Sequence, residues 1–204
     1  ITYSAAISAC EKGKQWKQAL QLFQEIRQLQ IDTLDVIVYS AAISACEKGE
    51  QWDSALHLLR EMWQAELSPD LVACNAAISA CEKGQLWQQA SQLFRGMRQM
   101  TLVPDVISFG GVISACEKCQ QWLQALHLFV EMQQMRIAPN IITCNPTISA
   151  CGNAKQWEQA LHLFEDTQRM TVVPDITTFT VAVSASLQGN RPGQALELWE
   201  MLQR

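Results

Sequence analysis

Trp16, Trp52, Trp87, Trp122 and Trp157 stand 36, 35, 35 and 35 residues apart. The stretch ISACEKGKQW that ends at the first of them returns as ISACEKGEQW, ISACEKGQLW, ISACEKCQQW and ISACGNAKQW. A period of this length marks a stack of supersecondary units, none of which can bury its apolar face alone. It bears on function as well, because a single active site needs no such repetition, whereas a partner with a regular spacing of its own, a polymer, matches it. The one irregular interval arises in IDTLD, where other units have a turn such as LSPD or LVPD.

Each unit reads as two helices. In the first, Tyr3, Ala6, Ile7 and Cys10 follow the i, i+3, i+4, i+7 rule, so one side is apolar. In the second, Trp16, Ala19, Leu20, Phe23 and Ile26 form another apolar stripe, and Gln, Lys and Glu fill the remainder. Gly13, Gly49 and Gly84 are expected to supply the left-handed residue that closes the first helix. Pro69, Pro104, Pro139 and Pro174 stop the chain from continuing helically and start the next unit. No strand alternation persists. The expected architecture is all-α, antiparallel helical hairpins in a superhelical solenoid, with units over residues 1–35, 36–70, 71–105, 106–140, 141–175 and an incomplete sixth over 176–204.

With 49% hydrophobic residues there is enough apolar surface for a core, and no run of eighteen apolar residues suggests a membrane span. The chain opens on Ile inside a unit and is expected to be a piece of a longer array, so a missing leader says nothing about compartment. A net charge of -5 gives no general attraction to nucleic acid or anionic lipid. Of eight cysteines, Cys10, Cys46, Cys81, Cys116 and Cys151 share one place in the unit and Cys74 and Cys144 another, which suits small core fillers better than a disulfide framework. Cys116 and Cys119 form a lone CxxC without the second ligand pair that structural zinc needs. His57, His127 and His162 recur at one place and read as outer-face residues, and Glu25, Glu61 and Glu131 as solvated surface. Trp63 and Trp199 break the pattern and read as local packing. No phosphate-binding glycine loop or nucleophile–base grouping is present, so no enzyme activity, metal or cofactor is expected.

The opposite side of the first helix carries the candidate site. At about 100° per residue, Ile1, Ser4, Ser8, Glu11 and Lys12 fall in one wedge. It recurs as Ile37, Ser40, Ser44, Glu47, Lys48, then Val72, Asn75, Ser79, Glu82, Lys83, then Ile107, Gly110, Ser114, Glu117, Lys118. The Ser8 place stays Ser in all six units, while the place one turn earlier runs Ser4, Ser40, Asn75, Gly110, Asn145, Thr180. Two readings stand. Either a crowded helix start accepts only small residues that cap well, or small side chains let a flat ligand approach and their polar groups choose between its versions.

The period, the stretch VIVYSAAISACEKG…WDSALHLLREM…LSPD and the small polar residue directly after Tyr39 resemble pentatricopeptide repeats, over essentially the whole chain. The resemblance implies a right-handed superhelix whose first helices line a groove for single-stranded RNA, with one base read per repeat. The implied base-reading pairs are Ser4 with Asp35, Ser40 with Asp70, Asn75 with Asp105, Gly110 with Asn140 and Asn145 with Asp175; Thr180 has no partner within the chain. In that family Ser or Thr in the first place favours purines and Asn pyrimidines, while a closing Asp favours G or U and a closing Asn A or C. The chain then reads 5'-GGUAU-3'.

The resemblance further implies that Ile1, Ile37, Val72, Ile107 and Ile142 wedge between bases, where Thr177 departs, and that Lys12, Lys48, Lys83 and Lys118 contact phosphates, where Asn153 and Gln188 depart. The other readings are packing at the joint between repeats and ordinary solvated helix ends. Four lysines on a single strand give a log–log salt slope of about −3. Single-stranded RNA is the expected partner, with no DNA or membrane. Other proteins stay open as partners, because the acidic charge also fits a scaffold whose groove holds a peptide. A specificity arm of a larger RNA-processing enzyme is the third reading. The family points to a chloroplast or mitochondrial transcript.

Overall fold

The computed structural model describes residues 2–29, 34–170 and 172–203, so Ile1, and Ile31, Asp32 and Thr33 of the irregular stretch IDTLD, lie outside the described residues. Among the described residues there are twelve α-helices and no strand. In chain order they are α1 (Thr2–Lys12), α2 (Trp16–Gln28), α3 (Val36–Lys48), α4 (Trp52–Gln64), α5 (Leu71–Lys83), α6 (Trp87–Gln99), α7 (Val106–Lys118), α8 (Trp122–Gln134), α9 (Ile141–Asn153), α10 (Trp157–Arg169), α11 (Ile176–Gln188) and α12 (Pro192–Leu202). They form two compact units, Ile1–Pro104 and Asp105–Arg204.

Within each unit the packing rule is the same. A first helix packs on its own second helix and on the next first helix, and the second helix overlies the next first helix. The chain is therefore an all-α tandem of helical hairpins. The core lies where these three helices meet. Ala42, Ile43 and Cys46 of α3 and Ala55, Leu59 and Met62 of α4 are at most 1% exposed, and the same places recur as Ala77, Ile78 and Cys81 of α5. Aromatic rings lock second helix to following first helix: Phe23 meets Tyr39 edge to face at 5.0 Å, and Phe164 meets Phe179 at 5.2 Å. Such pairs add about 0.5–1.5 kcal/mol beyond the area they bury.

Helix starts and ends are chemically specified. The residue after each of Pro69, Pro104, Pro139 and Pro174, namely Asp70, Asp105, Asn140 or Asp175, is the N-cap of the next first helix, as Asp35 is of α3, and each side chain accepts from a backbone N–H of the first turn. In α7, α9 and α11 a hydroxyl oxygen at the third helical position (Ser108, Thr143, Thr178) accepts from the backbone N–H of the N-cap residue and completes a capping box. At the other end the chain closes in a Schellman turn. In α3, Gln51 N donates to Cys46 O at 2.9 Å and Glu50 N to Glu47 O at 3.0 Å.

That turn corrects the expectation for the glycines. Among the described residues no glycine has positive φ; the left-handed residue is the next one, at Lys14 (54°), Glu50 (58°), Gln85 (55°), Gln120 (58°), Lys155 (60°) and Asn190 (54°). Gly49 sits one place earlier, at the C-cap with φ −87°. Its small size answers to packing: a β-carbon there would lie 2.3 Å from Cδ1 of Trp16, and at Gly84 2.8 Å from Cγ of Trp52.

The cysteines pack as core fillers. Cys46, Cys74, Cys81, Cys116, Cys144 and Cys151 are buried, Cys10 and Cys119 half-buried, and none of these eight forms a disulfide. Burial pushes Cys46 and Cys81 up to about 12, and Cys74 and Cys151 to about 11. His57, His127 and His162 are exposed on second helices, as expected. Glu61 is not solvated surface: its side chain is 16% exposed and pairs with Arg27 of the preceding repeat at 2.7 Å. Trp63 and Trp199 are 41% and 51% exposed, so neither is a packed core residue; Trp63 borders a cleft between α4 and α6 with Leu56, Leu59 and Leu93.

Candidate nucleic-acid interface

The candidate base-reading residues fall at two fixed places in each hairpin, and the fold explains both. The closing residue is the N-cap, so its carboxylate or amide stands at the start of the next first helix. The Ser4 series lies at the fifth residue after that cap, one turn in. Its members are therefore not the caps; capping belongs to the closing residues.

Two pairs are brought together by hydrogen bonds between the first helix of a repeat and the residue that closes the same repeat. Ser40 Oγ donates to Asp70 Oδ1 at 2.9 Å and lies 2.7 Å from Val36 O. Asp70 Oδ1 also accepts from Ala73 N at 2.8 Å. Asn145 Nδ2 donates to Asp175 Oδ2 at 2.9 Å, and Thr178 bonds through its hydroxyl to both Asn145 Oδ1 and Asp175 Oδ1. Desolvation by itself would raise the Asp175 pKa. Hydrogen bonds from the amide and hydroxyl of Thr178, from Asn145 and from the Thr177 amide outweigh it and lower the pKa below the ordinary 3.8. This carboxylate is held ionised and ready to accept.

The remaining positions differ. Gly110 contributes no group and is buried, and a β-carbon on it would lie 3.1 Å from Cγ2 of Ile142. Asn140 accepts from Ile142 N at 3.0 Å and Thr143 N at 3.3 Å. Ser4 and Asn75 are half-buried on α1 and α5, and Asp35 and Asp105 serve as caps. Thr180 is exposed and its hydroxyl donates to Ile176 O at 2.7 Å. Ser40 is only 5% exposed, so at that rung the group a visitor can reach is Asp70, which is half-buried.

One turn before these residues the aliphatic row stands open to solvent. Ile37 is 62% exposed, Val72 58%, Ile107 60% and Ile142 59%. Four branched side chains at one place per repeat, each more than half in water, are not explained by packing alone. Ile142 also covers Gly110, so at that position both the joint-packing and the exposed role hold.

Two members of the lysine row, Lys48 and Lys83, are engaged rather than simply solvated. Lys48 Nζ pairs with Glu11 Oε1 at 2.7 Å, and Lys83 Nζ with Glu47 Oε1 at 2.8 Å and the Glu47 carbonyl at 2.8 Å. Ser79 Oγ donates to the same Glu47 Oε1 at 2.9 Å, and Ser149 Oγ to Glu117 Oε1 at 2.8 Å. The glutamate of one repeat thus reaches the lysine or serine of the next. That explains at Ser79 and Ser149 why the Ser8 place does not vary, a role that sequence reasoning missed although the recurring Glu–Lys dipeptide signalled it. Lys12 and Lys118 are exposed at the ends of α1 and α7.

Family profiles match most of the chain: one described as PPR repeat at residues 1–31, 37–67 and 107–137, one as pentatricopeptide repeat domain at 57–119, and one as PPR repeat family at 139–188. No curated protein sequence matches. Among solved structures, PPR10, a maize protein, in complex with an 18-nt psaJ RNA element is similar with a TM-score of 0.77 and 20% identity, over 98% of this chain and 33% of that one. The PPR domain of Arabidopsis thaliana protein-only RNase P 1 in complex with tRNA gives 0.72 and 14%, over 79% and 85%. Nuclear proteinaceous RNase P 2 from A. thaliana gives 0.80 and 9%, over 90% and 41%. The chain spans about a third of the length of PPR10.

Proposed function

Because this chain belongs to the pentatricopeptide repeat family, we propose that it is a sequence-selective single-stranded RNA-binding module that takes one base per repeat and performs no chemistry of its own. The observation that carries this reading is a hydrogen-bonded polar pair recurring next to an exposed aliphatic side chain, Ser40–Asp70 with Ile37 and Asn145–Asp175 with Ile142. The aliphatic row separates successive bases, and the closing residue meets the base edge. A carboxylate only accepts, which suits the N–H donors of G or U; an Asn amide both donates and accepts, which suits A or C. Ser40 then acts by holding Asp70 in place. The expected target is 5'-GGUAU-3', in an organellar transcript that the module protects, blocks from nucleases or holds unpaired. The likeness to PPR10 and to the RNase P 1 domain, both solved with RNA, supports the partner class.

The likeness to RNase P 2, over 41% of that chain, favours a second reading in which this array is the specificity arm of a larger RNA-processing enzyme.

Binding of labelled RNA containing GGUAU is the test, with scrambled RNA as competitor. Selective binding is expected, and Asn75→Ser should move the preference at the third base from U toward G. Equal and negligible binding to all RNAs would overturn the reading in favour of a peptide-holding scaffold; intact binding with unmoved preference would remove the code at that repeat.

A further inference from the structure

Lys48 and Lys83, two of the lysines implied as phosphate contacts, are each held by a glutamate of the preceding repeat, and resting on the RNA reading above, we infer that Glu11 and Glu47 set the affinity by competing with the RNA backbone for Lys48 and Lys83. The geometry is directional. Glu and Lys are neighbours in sequence, yet each pair reaches across a repeat joint, Glu11 to Lys48 at 2.7 Å and Glu47 to Lys83 at 2.8 Å. In both pairs the acid is the more covered partner: 23% against 36% exposed in the first, 16% against 31% in the second.

Glu47 is further fixed by the Ser79 hydroxyl, and its backbone carbonyl, near the negative end of α3, takes a second bond from the Lys83 ammonium. The carboxylate is thus built into the array, whereas the lysine tip can turn away. A phosphate that draws off the lysine leaves a half-covered carboxylate unpaired beside the polyanion. Each contact exchanges one ion pair for another instead of adding one. RNA affinity then falls below what the lysine count gives, and its salt dependence is shallower.

The double variant Glu11→Gln, Glu47→Gln tests this, because Gln keeps an Oε1 that can accept from Ser79 while losing the charge. Its affinity for GGUAU-containing RNA should rise roughly two- to tenfold at low salt, and the log–log salt slope should steepen by about 0.7 for each lysine released. In a background carrying Lys48→Met and Lys83→Met both effects should vanish. The single variant Glu47→Gln, with its melting temperature as control, gives half of the slope change if the double variant folds poorly. RNA binding with unchanged affinity and slope overturns the inference, as does an effect that persists without the lysines, which indicates general charge repulsion. No RNA binding by the unaltered chain overturns the RNA reading itself and this inference with it.

Discussion

Gly49 lies against the indole of Trp16 in the preceding repeat, so close that a β-carbon would fall 2.3 Å from Cδ1 and 2.4 Å from Cγ. The ring atoms involved are those nearest the backbone, which cannot swing aside as a flexible tip can. Gly49→Ala should therefore destabilise the chain by about 1–3 kcal/mol. Gly13→Ala, whose β-carbon meets nothing nearer than Ala9 O at 3.4 Å, should be neutral or slightly stabilising. In denaturant unfolding, adding Trp16→Ala should make the cost of Gly49→Ala less than additive.

Asp70 has two tasks, capping α5 and accepting from Ser40. Asp70→Ala should lose the cap, at about 0.5–2 kcal/mol. Asp70→Asn keeps a good capping residue and should cost far less, while shifting the base preferred at the second rung from G toward A. Thermal melts beside RNA selection separate the two roles; equal losses of stability in both variants would remove the distinction.

The thiols should be sorted by burial. With pKa values of about 12 for Cys46 and Cys81 and about 11 for Cys74 and Cys151, these four should resist alkylation in the native chain at mildly alkaline pH. Half-buried Cys10 and Cys119 should react first, as mass spectrometry of labelled peptides can read. The sign for stability follows. The folded pKa is raised, so the contribution is full below the unfolded value of 9.0 and is lost as pH rises toward 11–12. Melting temperature should fall across that window.

Asp175 moves the other way. Its pKa is lowered, so the stability it contributes is present above the unfolded value of 3.8 and is lost as pH falls through the folded value. An NMR titration should find its midpoint below 3.8, and Asn145→Ala should raise it by removing one donor.

Gly96 sits in the interior of α6 with open space where a β-carbon would be. Gly96→Ala should stabilise by about 1 kcal/mol, since glycine is that much poorer than alanine inside a helix. A lower melting temperature would contradict it.

Much of this protein is legible in its sequence because the relevant physics is local. A helix period repeated along each segment, the same tryptophan every 35 residues and proline before a capping Asp or Asn determine two helices per repeat, their faces and their boundaries. The aliphatic row at Ile37, Val72, Ile107 and Ile142 could be placed on an outward wedge for the same reason, and it is exposed. What only the tertiary structure decided depends on how far one repeat stands from the next. No pattern within a helix says that Gly49 is small because Trp16 presses on it, that Ser40 is covered while Asp70 is reachable, or that Lys83 points back to Glu47. Those outcomes follow from the spacing between stacked hairpins, a distance set by many side chains packing at once.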